Sequence, residues 1–190
     1  MEILKPSETA LKKAVKIIKN GGVIVCPTDT VYGFLADATN KKAVEKIFKI
    51  KKRPKSKPLP IFIKDIASAK KFVQINKKGE KILRKYWPGK YTFILKRKPA
   101  VKLYGVDKKT IAIRIPKHKF LKDLLKKVNK PLVQTSVNIS NSRPLNNLRD
   151  ITAVFGKNRL LDFIIGDGSV KNPKPSKIYD FAQQVLTKIR

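Results

Sequence analysis

Cysteine and histidine are nearly absent from this chain: 190 residues contain one of each. The single cysteine, Cys26, excludes an internal disulfide and any multi-cysteine zinc site. It sits in a strand-like run and reads as a small buried apolar side chain. The single histidine, His118, gives no support for a Ser-His-Asp set and reads as an exposed or helix-capping residue. No stretch approaches the roughly 18 apolar residues needed to cross a bilayer, and Met1–Pro6 lacks the apolar run of a signal peptide. A soluble, cytoplasmic protein with no membrane partner is expected. There is no Walker A run and no dinucleotide glycine fingerprint. Acids are scarce: 13 Asp and Glu stand against 45 Lys and Arg, a net charge of +32. Genome composition accounts for the excess of lysine over arginine but not for so few acids. Such a field attracts polyanions over long range, so RNA, DNA or ATP are partners to weigh.

At this length the chain fits one domain, expected over residues 1–190. Ser7 to Asn20 reads as a helix with Leu11, Ala14, Val15 and Ile18 on one face, closed by Gly21 and Gly22. Val23–Cys26 reads as a strand. Asn40 caps a helix with Ala43, Val44, Ile47 and Phe48 inward. Three prolines make the segment from Lys49 to Pro60 largely irregular. Leu59–Ile63 is a strand, Ile66–Val73 a short helix and Lys78–Tyr86 a helix that stops at Trp87-Pro88-Gly89. Strands follow over Tyr91–Leu95 and Thr110–Ile115, then a helix over Lys119–Val128 and a strand over Pro131–Thr135. Leu148–Phe155 is a helix, and Leu161–Ile165, Ile178–Phe181 and Val185–Ile189 are strands. Alternating helices and strands predict an α/β fold with a twisted mixed sheet flanked by helices.

Three polar clusters carry the chemistry. Pro27-Thr28-Asp29-Thr30-Val31-Tyr32-Gly33 places two hydroxyls, a carboxylate and a ring just past a strand, where ligands collect in α/β sheets. Lys51-Lys52-Arg53-Pro54-Lys55-Ser56-Lys57-Pro58-Leu59 is a cationic run stiffened by proline. Fixed cations hold a polyphosphate at lower ordering cost, and Arg53 offers a planar fork. Composition alone favours a solvated basic loop. Gln134 to Pro144 is dense in hydroxyls and amides that suit phosphate, ribose or carboxylate, and it reads equally as an ordinary polar loop. Arg114 lies inside the apolar strand Thr110–Ile115. A guanidinium there needs an anion, from a salt bridge or a ligand, and the chain has few acids to offer.

In order along the chain, these stretches resemble the YrdC-like family, the threonylcarbamoyl-AMP synthases of the TsaC type. The matching residues are Pro27–Gly33, Lys51-Lys52-Arg53-Pro54 with Lys57-Pro58-Leu59, Trp87-Pro88-Gly89 with Thr92-Phe93, and Ala112–Pro116. Thr135–Ser140, Pro175–Asp180 and the terminal Ile189-Arg190 complete them. Each motif is weak alone; seven in sequence are specific. The resemblance implies a deep basic cleft and the reaction of L-threonine, bicarbonate and ATP, with Mg²⁺ held mainly by ATP. The products are threonylcarbamoyl-AMP and pyrophosphate. A partner complex then moves the threonylcarbamoyl group onto a tRNA adenosine. By the same resemblance Thr30, Arg114 and Ser176 bind threonine, and Lys57, Thr110, Ser136, Asn138 and Arg190 contact the nucleotide. Lys51 and Arg53 are the catalytic candidates. Asn141 stands where the family usually has glycine, and Phe62 where longer relatives often have histidine. The rival reading is a non-enzymatic factor that binds double-stranded RNA or tRNA. The carbamoyl-transfer module of hydrogenase maturation proteins is a second rival, which the lone cysteine disfavours.

Overall fold

Each helix starts where a short polar side chain can take an unpaired backbone N–H. The computed structural model describes residues 1–166, 168–170, 173–183 and 185–189. In chain order its elements are β1 (Ile3–Leu4), α1 (Glu8–Lys19), β2 (Ile24–Cys26), β3 (Gly33–Asp37), α2 (Lys41–Lys51), β4 (Ile61–Phe62), α3 (Ile66–Ala69) and α4 (Lys77–Tyr86). Then come β5 (Tyr91–Lys96), β6 (Thr110–Arg114), α5 (Lys119–Val128), β7 (Leu132–Ser136), α6 (Leu148–Phe155), β8 (Phe163–Ile165), β9 (Lys177–Asp180) and β10 (Thr187–Lys188). Ser7 caps α1 by accepting from Ala10 N at 3.2 Å, and Asn40 caps α2 by accepting from Ala43 N at 3.1 Å. His118 caps α5, its Nδ1 accepting from Leu121 N at 3.4 Å. Burial lowers the His118 pKa, which favours the neutral ring that can accept.

The strands form one mixed sheet in the order β1-β8-β2-β3-β7-β4-β6-β5-β9-β10. β2 and β3 pair antiparallel, with Cys26 opposite Gly33, so Pro27–Tyr32 is a hairpin loop. This refines the sequence reading, which lacks β3. All five of its residues are buried, and a strand covered on both faces shows no polar alternation to mark it. The two-residue β1 is also absent from the sequence reading. The helix expected over Ile66–Val73 ends at Ala69.

Successive side chains of the central strands point to opposite faces. Ile24, Cys26 and Leu35 join Phe62, Leu132, Phe163 and the buried stripes of α1 and α5 in one core. Val23, Val25, Phe34 and Ala36 join the inner faces of α2, α4 and α6 in the other. Two helices, each about 10 Å across, cover roughly 20 Å, far less than ten strands spaced about 4.8 Å apart. Among the described residues, none from β5, β6 or β9 belongs to the α1/α5 core. On that side the sheet beyond β4 is left as an open floor.

Truncating the helix that sets this edge has a predictable cost. Leu124 is wholly buried between α5 and the sheet. Leu124→Ala is expected to lower the unfolding free energy by about 2–5 kcal/mol. The urea midpoint should fall at nearly unchanged slope.

Candidate active site

The open floor becomes one wall of a cavity of about 580 Å³, within the range of small-molecule sites. Alternate residues of three strands face it: Thr110, Ala112 and Arg114 of β6, Thr92 and Ile94 of β5, and Ile178 of β9 with Ser176 just before it. Thr30 from the hairpin loop, Arg53 from the proline-rich loop and Ser136 from the end of β7 close over them. Of the ten residues singled out from sequence, Thr30, Arg53, Thr110, Arg114, Ser136 and Ser176 thus share one cavity. Lys51, Lys57 and Asn138 are not among its lining residues. Arg190 lies outside the described residues.

Arg114 is 2 % exposed and is held by four neighbours. Its Nε donates to Gly89 O at 2.9 Å, one Nη to Thr30 Oγ1 at 3.0 Å, and the other to Asp29 in an ion pair. Its guanidinium carbon lies 5.4 Å from the centre of the Phe62 ring, its register partner on β4. Burial lowers the Arg114 pKa and the Asp29 charge opposes that shift. Arg114 therefore has its acid after all, supplied by the hairpin loop. Among the described residues, three of its five N–H groups are committed, and the side chain lines the cavity. Gly89 is required for this arrangement, because a Cβ there would meet Tyr86 O at 2.5 Å. Phe62 serves both as core and as the face on which Arg114 rests.

Behind the opposite wall lies Lys51, at the end of α2 and 1 % exposed. Its Nζ donates to Ser136 O at 2.6 Å, Asn138 O at 2.9 Å and Asn138 Oδ1 at 2.6 Å. All three ammonium hydrogens are used on neutral oxygens. Burial, then repulsion from Arg53, lowers its pKa to about 7. Asn138 Oδ1 also accepts from Ser136 Oγ at 2.8 Å, and its Nδ2 donates to Ser142 O at 2.7 Å. The 136–142 loop is thereby cross-braced from within. Asn141 adopts φ +70°, a left-handed conformation that asparagine tolerates and glycine prefers. Its Oδ1 accepts from Lys57 Nζ at 3.3 Å. Arg53 donates from Nε to Lys57 O at 2.9 Å and from Nη to Pro58 O at 3.0 Å, which folds the cationic run back on itself.

Asp107, which the sequence reading passed over, also lines the cavity, as do Gln134 of the third polar cluster and Thr92 of the Trp87-Pro88-Gly89 motif, neither of which was given an individual role. Asp107 Oδ1 accepts from Lys109 N at 2.8 Å and Thr110 N at 2.9 Å. These bonds lower its pKa, so it is ionised. Thr92 and Ser176 share a hydroxyl–hydroxyl bond of 2.9 Å. Period-two counting back from Arg114 finds Ala112 and Thr110 on the same face, and Asp-x-x-Thr is the spacing of a local side-chain turn. Asp107 is an acid lining a cavity that also holds Arg53 and Arg114. Among the described residues, no group of three or more His, Cys, Asp or Glu is placed to hold a metal ion.

The sequence and the fold match known proteins. The profile of the Sua5/YciO/YrdC family, described as telomere recombination, matches residues 16–190. A Methanocaldococcus jannaschii protein, provisionally named as a threonylcarbamoyl-AMP synthase, is 35% identical over 194 residues, spanning 100% of this chain and 91% of that protein. The threonylcarbamoyl-AMP synthase of Buchnera aphidicola is 34% identical over 167 residues, 85% of this chain and 93% of the relative. P. abyssi Sua5, solved with L-threonine, superposes with a TM-score of 0.89 at 26% identity and 100% coverage of this chain. The match spans 57% of that longer protein. By sequence and by fold, then, the chain belongs to the Sua5/YciO/YrdC family.

Proposed function

We propose that the chain is an L-threonylcarbamoyladenylate synthase, a nucleotidyltransferase that converts L-threonine, bicarbonate and ATP into threonylcarbamoyl-AMP and pyrophosphate. The observation that carries this reading is the shared cavity. A forked cation and a hydroxyl, Arg114 and Thr30, stand at one end of β6. A second forked cation, Arg53, and the Ser136 hydroxyl line the same space. One corner suits an α-amino acid and the other a polyphosphate. The relatives' names favour this enzyme over a factor that only binds RNA.

In this reading the threonine amine bonds to the carbon of bicarbonate, a C–O bond breaks, water leaves and a carbamate is formed. A carbamate oxygen then bonds to the α-phosphorus of ATP as the bond to pyrophosphate breaks. Arg114 pairs with the threonine carboxylate. Arg53 takes phosphate oxygens with the N–H groups not committed to its own loop, and Lys57 adds positive charge from the rim. Thr110, Ser136 and Ser176 supply hydroxyls along the wall. The work is alignment and charge neutralisation. Asp107 is no carboxylate cage, so Mg²⁺ enters as part of the MgATP substrate. Lys51 and Asn138 act from behind the wall, fixing Ser136 and the loop that follows it. The product is an activated acyl group that a transferase must place on tRNA. The net charge of +32 suits direct contact with that polyanion.

The test is pyrophosphate release. It should require threonine and bicarbonate together, and ATP turnover indifferent to both would end the proposal. Arg53→Ala is expected to abolish release while leaving the far-UV circular dichroism unchanged. Alanine at 114 would strand Asp29 as a buried charge, so Arg114→Lys is the informative variant. It keeps the charge but loses the fork, and the threonine KM should rise at least about tenfold, roughly 1.4 kcal/mol of binding. An unmoved KM assigns Arg114 to structure alone.

Lys51 generates a pH dependence. Its folded pKa of about 7 lies below the ordinary 10.5. Between these values the unfolded chain binds the extra proton, so stability from this site rises with pH across the window and is flat below it. In urea unfolding, wild type relative to Lys51→Met should gain stability from about pH 7 to about pH 9. A difference that is constant or falling shows that Lys51 stays charged.

A further inference from the structure

Strand register places Gln134 midway along the cavity. Phe62 of β4 pairs with both Arg114 of β6 and Leu132 of β7, and Ile61 with both Ile113 and Val133. The next level therefore holds Pro60, Ala112 and Gln134, and Gln134 N donates to Pro60 O at 2.9 Å. Ile94 of β5 pairs with Ala112 and extends the same row. Two residues beyond that row lie Thr110 and Ser136. Leu132 belongs to the α1/α5 core, so by alternation Gln134 and Ser136 point to the side of the sheet that carries the cavity. The row through Gln134 thus stands roughly 7 Å from the Arg114 level and roughly 7 Å from the Thr110–Ser136 level.

Gln134 is 9 % exposed and lines the cavity. Its carboxamide lies over Gly33, where a Cβ would meet Nε2 at 3.1 Å. Among the described residues the carboxamide has no hydrogen-bond partner. The other lining residues of its row, Pro60, Ala112 and Ile94, carry no polar side chain. Water can serve the carboxamide while the cavity is open. Once substrates fill the space, an unmatched amide is costly, so the ligand must supply its partner.

We propose that the Gln134 carboxamide binds the carbamate formed from bicarbonate and the threonine amine. This rests on the function proposed above and deepens it, by giving a subsite to the one substrate that neither Arg114 nor Arg53 holds. In threonylcarbamoyl-AMP the carbamoyl carbon lies between the amino-acid carboxylate and the α-phosphorus. With the carboxylate at Arg114 and the phosphates toward Arg53 and Ser136, that carbon falls at the level of Gln134. The chemistry matches. As water leaves, the amine gives up one hydrogen and the carbamate nitrogen keeps one N–H. Gln134 Oε1 accepts from that N–H, and Nε2 donates to one carbamate oxygen. The other oxygen is left to bond to the α-phosphorus as the bond to pyrophosphate breaks. The paired contact fixes the carbamate plane and so aims the attacking oxygen.

Bicarbonate KM is read from pyrophosphate release in bicarbonate-depleted buffer, and threonine binding from calorimetry. Gln134→Leu removes the amide at similar volume and should raise the bicarbonate KM at least about tenfold. The threonine Kd and the ATP KM should stay within about threefold. Gln134→Glu keeps the shape but sets a negative charge against an anion, and should raise the bicarbonate KM at least as far. The last arm uses wild type alone. N-methylthreonine forms a carbamate with no N–H, and its kcat/KM should be at least about tenfold below that of threonine.

A bicarbonate KM that stays within about threefold of wild type in Gln134→Leu overturns the proposal. So does a parallel rise in threonine Kd and ATP KM, which shows a merely structural role. If Gln134→Leu does not fold, Gln134→Glu decides by the same measure. Equal kcat/KM for threonine and N-methylthreonine overturns the proposal whether or not either variant folds. The two readings fail separately. Wild type that releases no pyrophosphate removes the synthase and this subsite with it, whereas normal wild-type release with an unmoved Gln134→Leu removes only the role of Gln134.

Discussion

A guanidinium at the end of a buried strand must be satisfied on every side, and here that demand ties the molecule together. Arg114 draws the hairpin loop to itself through Asp29 and Thr30, and the loop after α4 through Gly89 O. Phe62 on the neighbouring strand supports it from one side. Four segments far apart in sequence are thus fixed around one planar cation. Removing either member of the ion pair leaves a buried charge, so the site and the stability of the fold share this contact. Held in this way, Arg114 still lines the cavity.

The opposite wall uses a different solution. Among the described residues, Lys51 has no carboxylate in contact; it is satisfied by three neutral oxygens of the 136–138 turn. This costs more in desolvation than an ion pair, and it leaves the wall without a negative charge that would repel a phosphate. The acids near the cavity fit the same logic. Asp29 is neutralised by Arg114, and Asp107 is placed beside Thr110 at the other end of β6. A chain with only 13 acids uses these two at positions where they orient donors.

Sheet width explains why the cavity is where it is. α1 and α5 run out before the sheet does, and the uncovered strands present their alternate residues as a floor. The mixed pairing also turns the motif from Pro27 to Gly33 back on itself as a hairpin, which aims Thr30 at β6 instead of along the strand axis.

Local chemistry was legible in the sequence. Caps at Ser7, Asn40 and His118, helix stripes, and most strands follow from residues that act within a few positions of themselves. The polar clusters were visible too, because hydroxyls, amides and cations that a core does not need stand out. β3 was not legible, since burial on both faces erases the alternation that marks a strand. Nor was the partner of Arg114, which is 85 residues away at Asp29, or the retreat of Lys51 behind the wall. Composition could not separate a phosphate cradle from a solvated basic loop, because a lysine looks the same in both. Only tertiary structure decided which charges face the cavity and which brace it, because that choice depends on sheet order and on where two helices stop covering it.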